Sequence, residues 1–340
     1  MKYLFLNGKS SKFVYYFTHY IKLMIPSIVY RHRRKRLLSK FDRMSQSERE
    51  YILDRVEYYC KLHEVLDFVE RIDTKPLDQH RLRTRAQRSY ASVYFLDTFE
   101  YTRSFPSHFR WSYFFGDVDF LLPLASVTKS RPIVEENHNS VLLKLNHLRH
   151  FIWVNDSKRF EDKEQIAVFR GDIVGKSSRM DFVRKFHDSS LCDAGDVCDN
   201  SDLPAEWFKP KMTLAEHLDY KFIVSLEGND VASNLKWVMS SNSVAVMPRP
   251  TCETWFMEGR LVPNKHYIEV AADYSDFEDR LQYYLGHPDE AKAIARNANE
   301  YCAQFRNAER ETLISYLVLQ RYFTQTGQLS PPRHDGVSSL

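Results

Sequence analysis

Short apolar runs alternate with helix-like stretches after residue 155. The runs are "QIAVFRG", "SLCDAGDV", "YKFIVSLEG", "NSVAVMP" and "HYIEVA". Between them lie "SSRMDFVRKFHD", "TLAEHLDY", "VASNLKWVMSS" and "CETWFMEGR". Strands alternating with helices predict an α/β fold with a parallel, doubly wound sheet. Ahead of this section, residues 13–70 read as helical. Ser45 or Ser47 is the N-cap of one helix, whose apolar positions Tyr51, Ile52, Val56, Tyr59, Leu62 and Val65 recur at helical spacing. "RSYASVYFLDTFEYTRSF" leans to strand and then helix. "HFRWSYFFGDVDFLLPL" predicts an aromatic strand that breaks at Gly116-Asp117, and "RPIVEENHNSVLLKLNHLRHF" is turn-rich before an apolar element. "SDFEDRLQYYLGHPDEAKAIARNANEYCAQF" and "AERETLISYLVLQRYF" predict consecutive helices, followed by a polar, loose tail. The organisation is bipartite, divided near residues 155–165, with no internal repeat.

The 340 residues suit one large or two medium domains. Hydrophobic content of 43% is enough for a core. The 14% aromatic content fits a carbohydrate or nucleotide enzyme and equally an aromatic-rich core. A net charge of +3 argues against a general polyanion binder, although "YRHRRKRLLSK" concentrates Arg31, Arg33, Arg34, Lys35, Arg36 and Lys40. One short basic run does not make a nucleic-acid interface. Five cysteines without a CxxC suggest neither a disulfide framework nor a zinc site, and point to a reducing compartment. "FVYYFTHYIKLMIPSIVY" is interrupted by His19, Lys22 and Pro26, which disfavours a spanning helix. Two readings fit it: an interfacial helix followed by a basic cluster, or a core helix with a solvated basic end.

Candidate chemistry sits at the carboxyl ends of the predicted strands, where parallel sheets bind ligands. Arg170 and Gly171 follow one strand, and Lys176, Ser177, Ser178 and Arg179 open a helix, whose N–H groups favour an anion. A second junction has Gly228 for a sharp turn, Asn229 or Asp230 as cap, then Val231, Ala232, Ser233, Asn234 and Lys236. Its spacing matches neither GxGxxG nor the Walker loop, which leaves a diphosphate held by N–H groups and one or two cations. Solvent-facing turns are the plainer reading of each junction. Glu253 is placed at the head of a helix, suited to vicinal hydroxyls or simply to that helix end, and Arg249 adds a cation at the same rim. Asp117 and Asp119 lie among aromatic residues as candidate bases or a DxD-like pair. Lys129, Ser130 and Arg131 follow as anion or hydroxyl donors on an acceptor or sugar side. "CDAGDVCDNSDLPAE" is read as a surface loop, because it lacks calcium-loop spacing.

In order, "YFFGDV", "TKSRPI", "NHNSVLLKLNHLRHF", "FRGD", "YKFIVSLEGNDVASNLKWVMSSNSV" and "ETWFMEGRLVPNKHYIEV" resemble glycosyltransferase family 90, nearest its bacterial lipopolysaccharide-core branch. The resemblance covers residues 110–305. It implies a GT-B-like fold of two Rossmann-like halves facing a cleft, with additional N-terminal and C-terminal helices. It divides the chain into a helical, membrane-associated region over 1–70, an acceptor-side domain over 71–158 and a nucleotide-sugar domain over 159–305. A C-terminal helix over 306–325 and a tail over 326–340 follow. It implies inverting transfer of a sugar, foremost a hexose, from a UDP-sugar to a saccharide hydroxyl of lipopolysaccharide core or a related glycan. No cofactor is implied to be required, and a divalent metal is not expected. The implied partners are the UDP-sugar, a lipid-linked or oligosaccharide acceptor and an anionic membrane surface, with no nucleic acid. The implied location is the cytoplasmic, inner face of the membrane. Asp117 falls at the position of the base, Arg170-Gly171 match the "FRG" motif, and Arg179 matches a residue facing the diphosphate. Gly228 to Lys236 match the phosphate loop, and Glu253 lies near sugar or ribose. Asn234 departs from an arginine found in many eukaryotic members, which leaves its work to Lys236, Arg179 or Arg170. A sugar-phosphate transferase or a non-catalytic nucleotide- or glycan-binding protein on the same fold are the alternatives.

Overall fold

The computed structural model describes residues 5–6, 9–63, 75–76, 92–198 and 202–330. Residues 64–70, the start of "RSYASVYF" and most of the tail lie outside them. Among the described residues of the first part of the chain the helices are Lys12–Met24 (α1), Ser27–Phe41 (α2), Gln46–Tyr59 (α3) and Ser92–Thr102 (α4). Pro26 separates the first two by lacking a donor N–H and fixing φ. Ser45 caps α3 in a capping box with Glu48, which settles the choice between Ser45 and Ser47. Phe5–Leu6 (β1) pairs with Lys9–Ser10 (β2), and Lys75–Pro76 (β3) with Arg110–Trp111 (β4). Tyr113–Phe114 (β5), Ser126–Thr128 (β6) and Ser140–Leu142 (β8) form a small parallel sheet, with Ser130–Pro132 (β7) beside it.

The second half builds the five-stranded sheet its pattern predicts. Glu164–Gly171 (β9), Cys192–Asp196 (β10), Tyr220–Val224 (β11), Val244–Met247 (β12) and Ile268–Glu269 (β14) are all parallel, in the order β10-β9-β11-β12-β14. Side chains alternate across it. Ala167, Phe169, Phe222, Val224 and Val246 pack against Phe182, Val183 and Phe186 of Ser177–Phe186 (α5) and against the C-terminal helices. Val168, Ile223 and Ala245 face the other way, where the core runs on through Trp111, Val127 and Val141 to Tyr322 and Phe323. Burial on both faces explains why these strands read as continuous apolar runs. After Leu214–His217 (α6) and Leu235–Val238 (α7), the chain ends in Phe277–Gly286 (α8), Pro288–Ala303 (α9) and Ala308–Gln325 (α10). α10 packs on α2, α3 and α4, so the end of the described chain rests on its beginning.

Three local expectations are corrected. "CETWFMEGR" is not a helix: Cys252–Thr254 (β13) pairs antiparallel with β7, setting Glu253 opposite Arg131. "VASNLKWVMSS" supplies only the single turn α7. "CDAGD" is the edge strand β10, with Ala194 and Asp196 buried, so the acidic loop begins only after it.

Candidate active site at the sheet switch point

Strand order reverses between β9 and β11: one connection leaves β9 for β10, and the later strands add on the other side. In doubly wound sheets a crevice opens at the carboxyl ends of such a pair. Arg179, in the first turn of α5, bridges those two ends. Its Nη1 donates to the Asp172 carbonyl at 3.2 Å, Nη2 to the Leu226 carbonyl at 2.9 Å and Nε to the Glu227 carbonyl at 2.9 Å. Burial pulls the Arg179 pKa down, opposed by the Asp172 charge. A Cβ at Gly228 would stand 3.0 Å from Arg179 Nη2. A side chain here would press on the guanidinium, so the glycine eases its close passage; its φ is not left-handed. Lys176, the N-cap residue of α5, makes no side-chain capping bond; its Nζ pairs with Asp172 Oδ2 at 2.9 Å.

Asp117 comes to the same place from the other half. It lies in the turn after β5, held by the Val118 N–H donating to Ser130 Oγ at 3.0 Å. Buried Lys129 places its Nζ 2.6 Å from Asp117 Oδ1 and 2.6 Å from Asp230 Oδ2. Asn229 Nδ2 donates to Asp117 Oδ2 at 3.2 Å. The Gly-Asn-Asp break after β11 thus reaches across to the candidate base. Neither Asn229 nor Asp230 caps α7; that position falls to Asn234, whose Nδ2 donates instead to the Val224 carbonyl at 3.0 Å. Burial raises the Asp117 pKa, but the bond and charge of Lys129, the Asn229 bond and the charge of Arg149 together hold it below the ordinary carboxylate range. Burial pushes Asp230 upward, against Lys129 and with Asp117. Lys129 is pulled down by burial yet ends above its usual value, because Asp230 and Asp117 face it. A carboxylate, a buried cation and the loop that opens on Gly228 therefore converge.

Arg149 is the member sequence reasoning passed over. Its N–H and that of His150 donate to the Asn146 carbonyl at 3.1 and 2.9 Å, in a turn where Asn146 is left-handed. Its side chain is exposed, with no hydrogen bond or ion pair among the described residues. Its charge is nonetheless felt by Asp117, Arg179 and buried His150. His150 is held neutral, its pKa well below the usual value through burial and the neighbouring Lys236, Lys129 and Arg149. The only sequence signal for Arg149 was its place in "NHLRHF".

Several expected contacts prove to be structural. Lys236 is buried and paired with Glu258 Oε1 at 2.6 Å, so it does not present its ammonium to a phosphate. Glu253 accepts from buried Arg131 Nε at 2.8 Å and from the Tyr58 hydroxyl, which withdraws both Glu253 and Arg131 from the crevice. Arg131 further donates to the Ser140 carbonyl at 3.1 Å and the Tyr58 carbonyl at 2.6 Å. Arg170 joins β9 to β10, donating to Asp193 Oδ2 at 2.6 Å and the Pro210 carbonyl at 3.2 Å, and lines a separate groove of about 510 Å³. Gly171 is crowded by Phe169, and Val231 and Ala232 are buried. Ser177 is exposed at the start of α5, Ser233 is half-buried in the turn, and Asp119 is exposed. Arg249 pairs at the rim with Glu269 at 3.0 Å. For a metal, Asp172, Asp196 and Cys198 offer ligand atoms within 4.8 Å of one another. Asp172 is already paired with Lys176, and Asp196 Oδ1 accepts the N–H groups of Ile173 and Cys198. Two engaged carboxylates and a thiol are a poor set for a hard cation.

Relatives with known activities share this chain. Residues 97–338 match glycosyl transferase family 90. O-glucosyltransferase LpsA of Dichelobacter nodosus is 38% identical over 288 residues, 84% of this chain and 87% of that protein. Protein O-glucosyltransferase 3 of Homo sapiens is 25% identical over 224 residues, 64% of this chain and 42% of that protein. The Rattus norvegicus protein of the same name is 25% identical over 227 residues, 65% of this chain and 42% of its own length. The mixed α/β fold with a parallel sheet thus carries a glycosyltransferase. The chain belongs to glycosyl transferase family 90, as the ordered motifs implied.

Proposed function

We propose that this enzyme transfers a hexose, with glucose the first to test, from a UDP-sugar to a saccharide hydroxyl of lipopolysaccharide core or a related surface glycan, with inversion. The observation that carries the reading is the link between halves: Lys129 lies 2.6 Å from both Asp117 and Asp230, tying the candidate base to the loop beside Arg179. The O-glucosyltransferase names of the relatives support glucose. In this reading the two halves face each other as in a GT-B enzyme, with the donor at the five-stranded sheet and the acceptor beside β5, β6 and β8.

The chemistry follows from charge. As the bond from the anomeric carbon to the UDP oxygen breaks, negative charge grows on the diphosphate. Arg179 and the uncapped N–H groups of α5 are fixed donors of the kind that stabilise such charge without reorganising, and the exposed Arg149 adds a positive charge beside them. The acceptor oxygen attacks from the opposite face, and its proton passes to Asp117 Oδ2 or Oδ1. Lys129 keeps Asp117 ionised and oriented. Because guanidinium and N–H groups meet the diphosphate, no metal is required in this scheme, and turnover should persist in a chelator. The direct test is a screen of UDP-sugars with core oligosaccharide acceptors, reading UDP release and the anomeric configuration of the product by NMR. Retained configuration, a phosphodiester in the product or UDP binding without turnover would each overturn the proposal.

A further inference from the structure

α1 has two apolar sides, and only one of them is covered. Inward, the Tyr15 hydroxyl donates to Asp97 Oδ1 at 2.6 Å and His19 is buried beside it. Lys22 Nζ donates to Glu100 Oε2 at 2.6 Å, so α4 fixes the rotation of α1. Outward, Phe13, Phe17, Tyr20, Ile21 and Met24 form a stripe at helical spacing on α1, and Ile28 is exposed in the first turn of α2. Phe13 is 77% exposed, Phe17 57%, Met24 76% and Ile28 51%. A stripe of this extent is unusual on a protein surface left to water. The covered side answers to the core-helix reading of this segment, and the uncovered side is the surface that the interfacial reading requires.

The basic run that follows also divides. Arg33 turns inward to Glu100 Oε1 at 2.9 Å and Thr312 Oγ1 at 3.3 Å. Arg34 turns inward to the Ser104 carbonyl at 3.3 Å and lies 4.1 Å over the Phe105 ring. Arg31, His32, Lys35 and Arg36 stay exposed, without side-chain ion pairs among the described residues. An open groove of about 470 Å³ runs between His32, Lys35, Arg36, Ser39, Lys40 and Arg43. No described helix is long and apolar enough to cross a membrane.

We infer that the outward face of α1 and α2 docks on an anionic phospholipid bilayer. The Phe13 to Met24 stripe enters the headgroup boundary with Ile28, and Lys35, Arg36 and Arg43 meet lipid phosphates in the groove. Charge complementarity selects this occupant over a second copy of the chain, because two such basic faces would repel. The surface places the protein beside lipid-borne acceptors at the cytoplasmic face of a membrane, and it does not depend on the donor assignment.

The test is flotation of the full chain with phosphatidylglycerol-containing vesicles and with neutral phosphatidylcholine vesicles. The wild type should float with the first and far less with the second. Lys35→Ser with Arg36→Ser should weaken binding about thirtyfold at low salt, at roughly fivefold per charge. Phe17→Ser with Met24→Ser should weaken it at least about tenfold at low and high salt alike. Both pairs are exposed, so thermal unfolding should match wild type. Failure of the wild type to float, flotation of either variant equal to that of the wild type, or self-association abolished by the Phe17 and Met24 changes would overturn the inference.

Discussion

Replacing Lys129 by Met should move the pH profile of the enzyme in a direction the structure dictates. The Lys129 side chain is 4% exposed and its Nζ sits 2.6 Å from each of two carboxylates. Asp117 is subject to two opposed influences: burial, the larger single one, raises its pKa, and Lys129, Asn229 and Arg149 lower it. A cation at this range lowers a carboxylate by about 1–3 pK units. Without it, only the Asn229 bond and the charge of Arg149 oppose burial and the charge of Asp230, and Asp117 rises above its ordinary value of 3.8. The base must be ionised to accept a proton. Wild-type kcat/KM should therefore hold its plateau down to the ordinary carboxylate range, and in Lys129→Met its acid limb should move up by about 1–3 pH units. Stability changes sign too. In the wild type the depressed Asp117 contributes stability above the unfolded value, lost as pH falls through the folded pKa. In the variant, stability falls as pH rises through that region, on top of about 3–5 kcal/mol for breaking a buried pair. The assays are kcat/KM against pH and denaturant unfolding, with Lys129→Arg as the charge-preserving control. An acid limb that does not move in a folded Lys129→Met enzyme would refute the reasoning.

Arg149→Ala should weaken UDP binding by about ten- to a hundredfold, the worth of a charge-assisted bond, and leave uridine binding unchanged; equal effects on both in titration calorimetry would remove Arg149 from the diphosphate. Lys236→Met should cost about 3–5 kcal/mol by orphaning the buried Glu258, visible as a lower unfolding midpoint. If Lys236→Met instead keeps its stability and loses UDP affinity, the buried assignment fails. Glu100 bears on the docking helices. Burial raises its pKa, but Lys22 and Arg33 overcome this and hold it at about 2, against 4.5 for a free Glu. By linkage that depression stabilises the fold by about 3 kcal/mol at neutral pH. The wild-type advantage over Glu100→Gln in denaturant unfolding should be full above pH 4.5 and vanish as pH falls to about 2.

What was legible in the sequence was what local pattern encodes. The central strands β9, β11 and β12 are buried on both faces along their middles, so they appear as apolar runs, whereas the edge strand β10 carries Asp193 and Asp196. β13 was not legible, because its partner β7 is far away in the chain: Glu253 meets Arg131 across 122 positions. A segment stabilised only by such a partner looks helical to any local reading. The site divides in the same way. Asp117, Arg179 and Gly228 come together at the crevice, and each stands in the sequence beside a strand end or a glycine. Lys236, Arg170 and Glu253 are engaged in ion pairs within the protein, which their letters do not disclose: a charge awaiting a ligand and a charge neutralised by a partner look the same in sequence. Arg149 was passed over for the converse reason: its interest lies in having no partner among the described residues, which only the fold reveals.

The central claim is that Asp117 is the base of a transfer from a UDP-sugar, and acceptor-dependent UDP release by Asp117→Asn measures it most directly. Asparagine keeps the size and the Asn229 contact region but accepts no proton. UDP-glucose should bind this variant about as well as the wild type, while release in the presence of acceptor falls by about 10²–10⁴-fold, the usual contribution of a general base. Release at the wild-type rate would contradict the account.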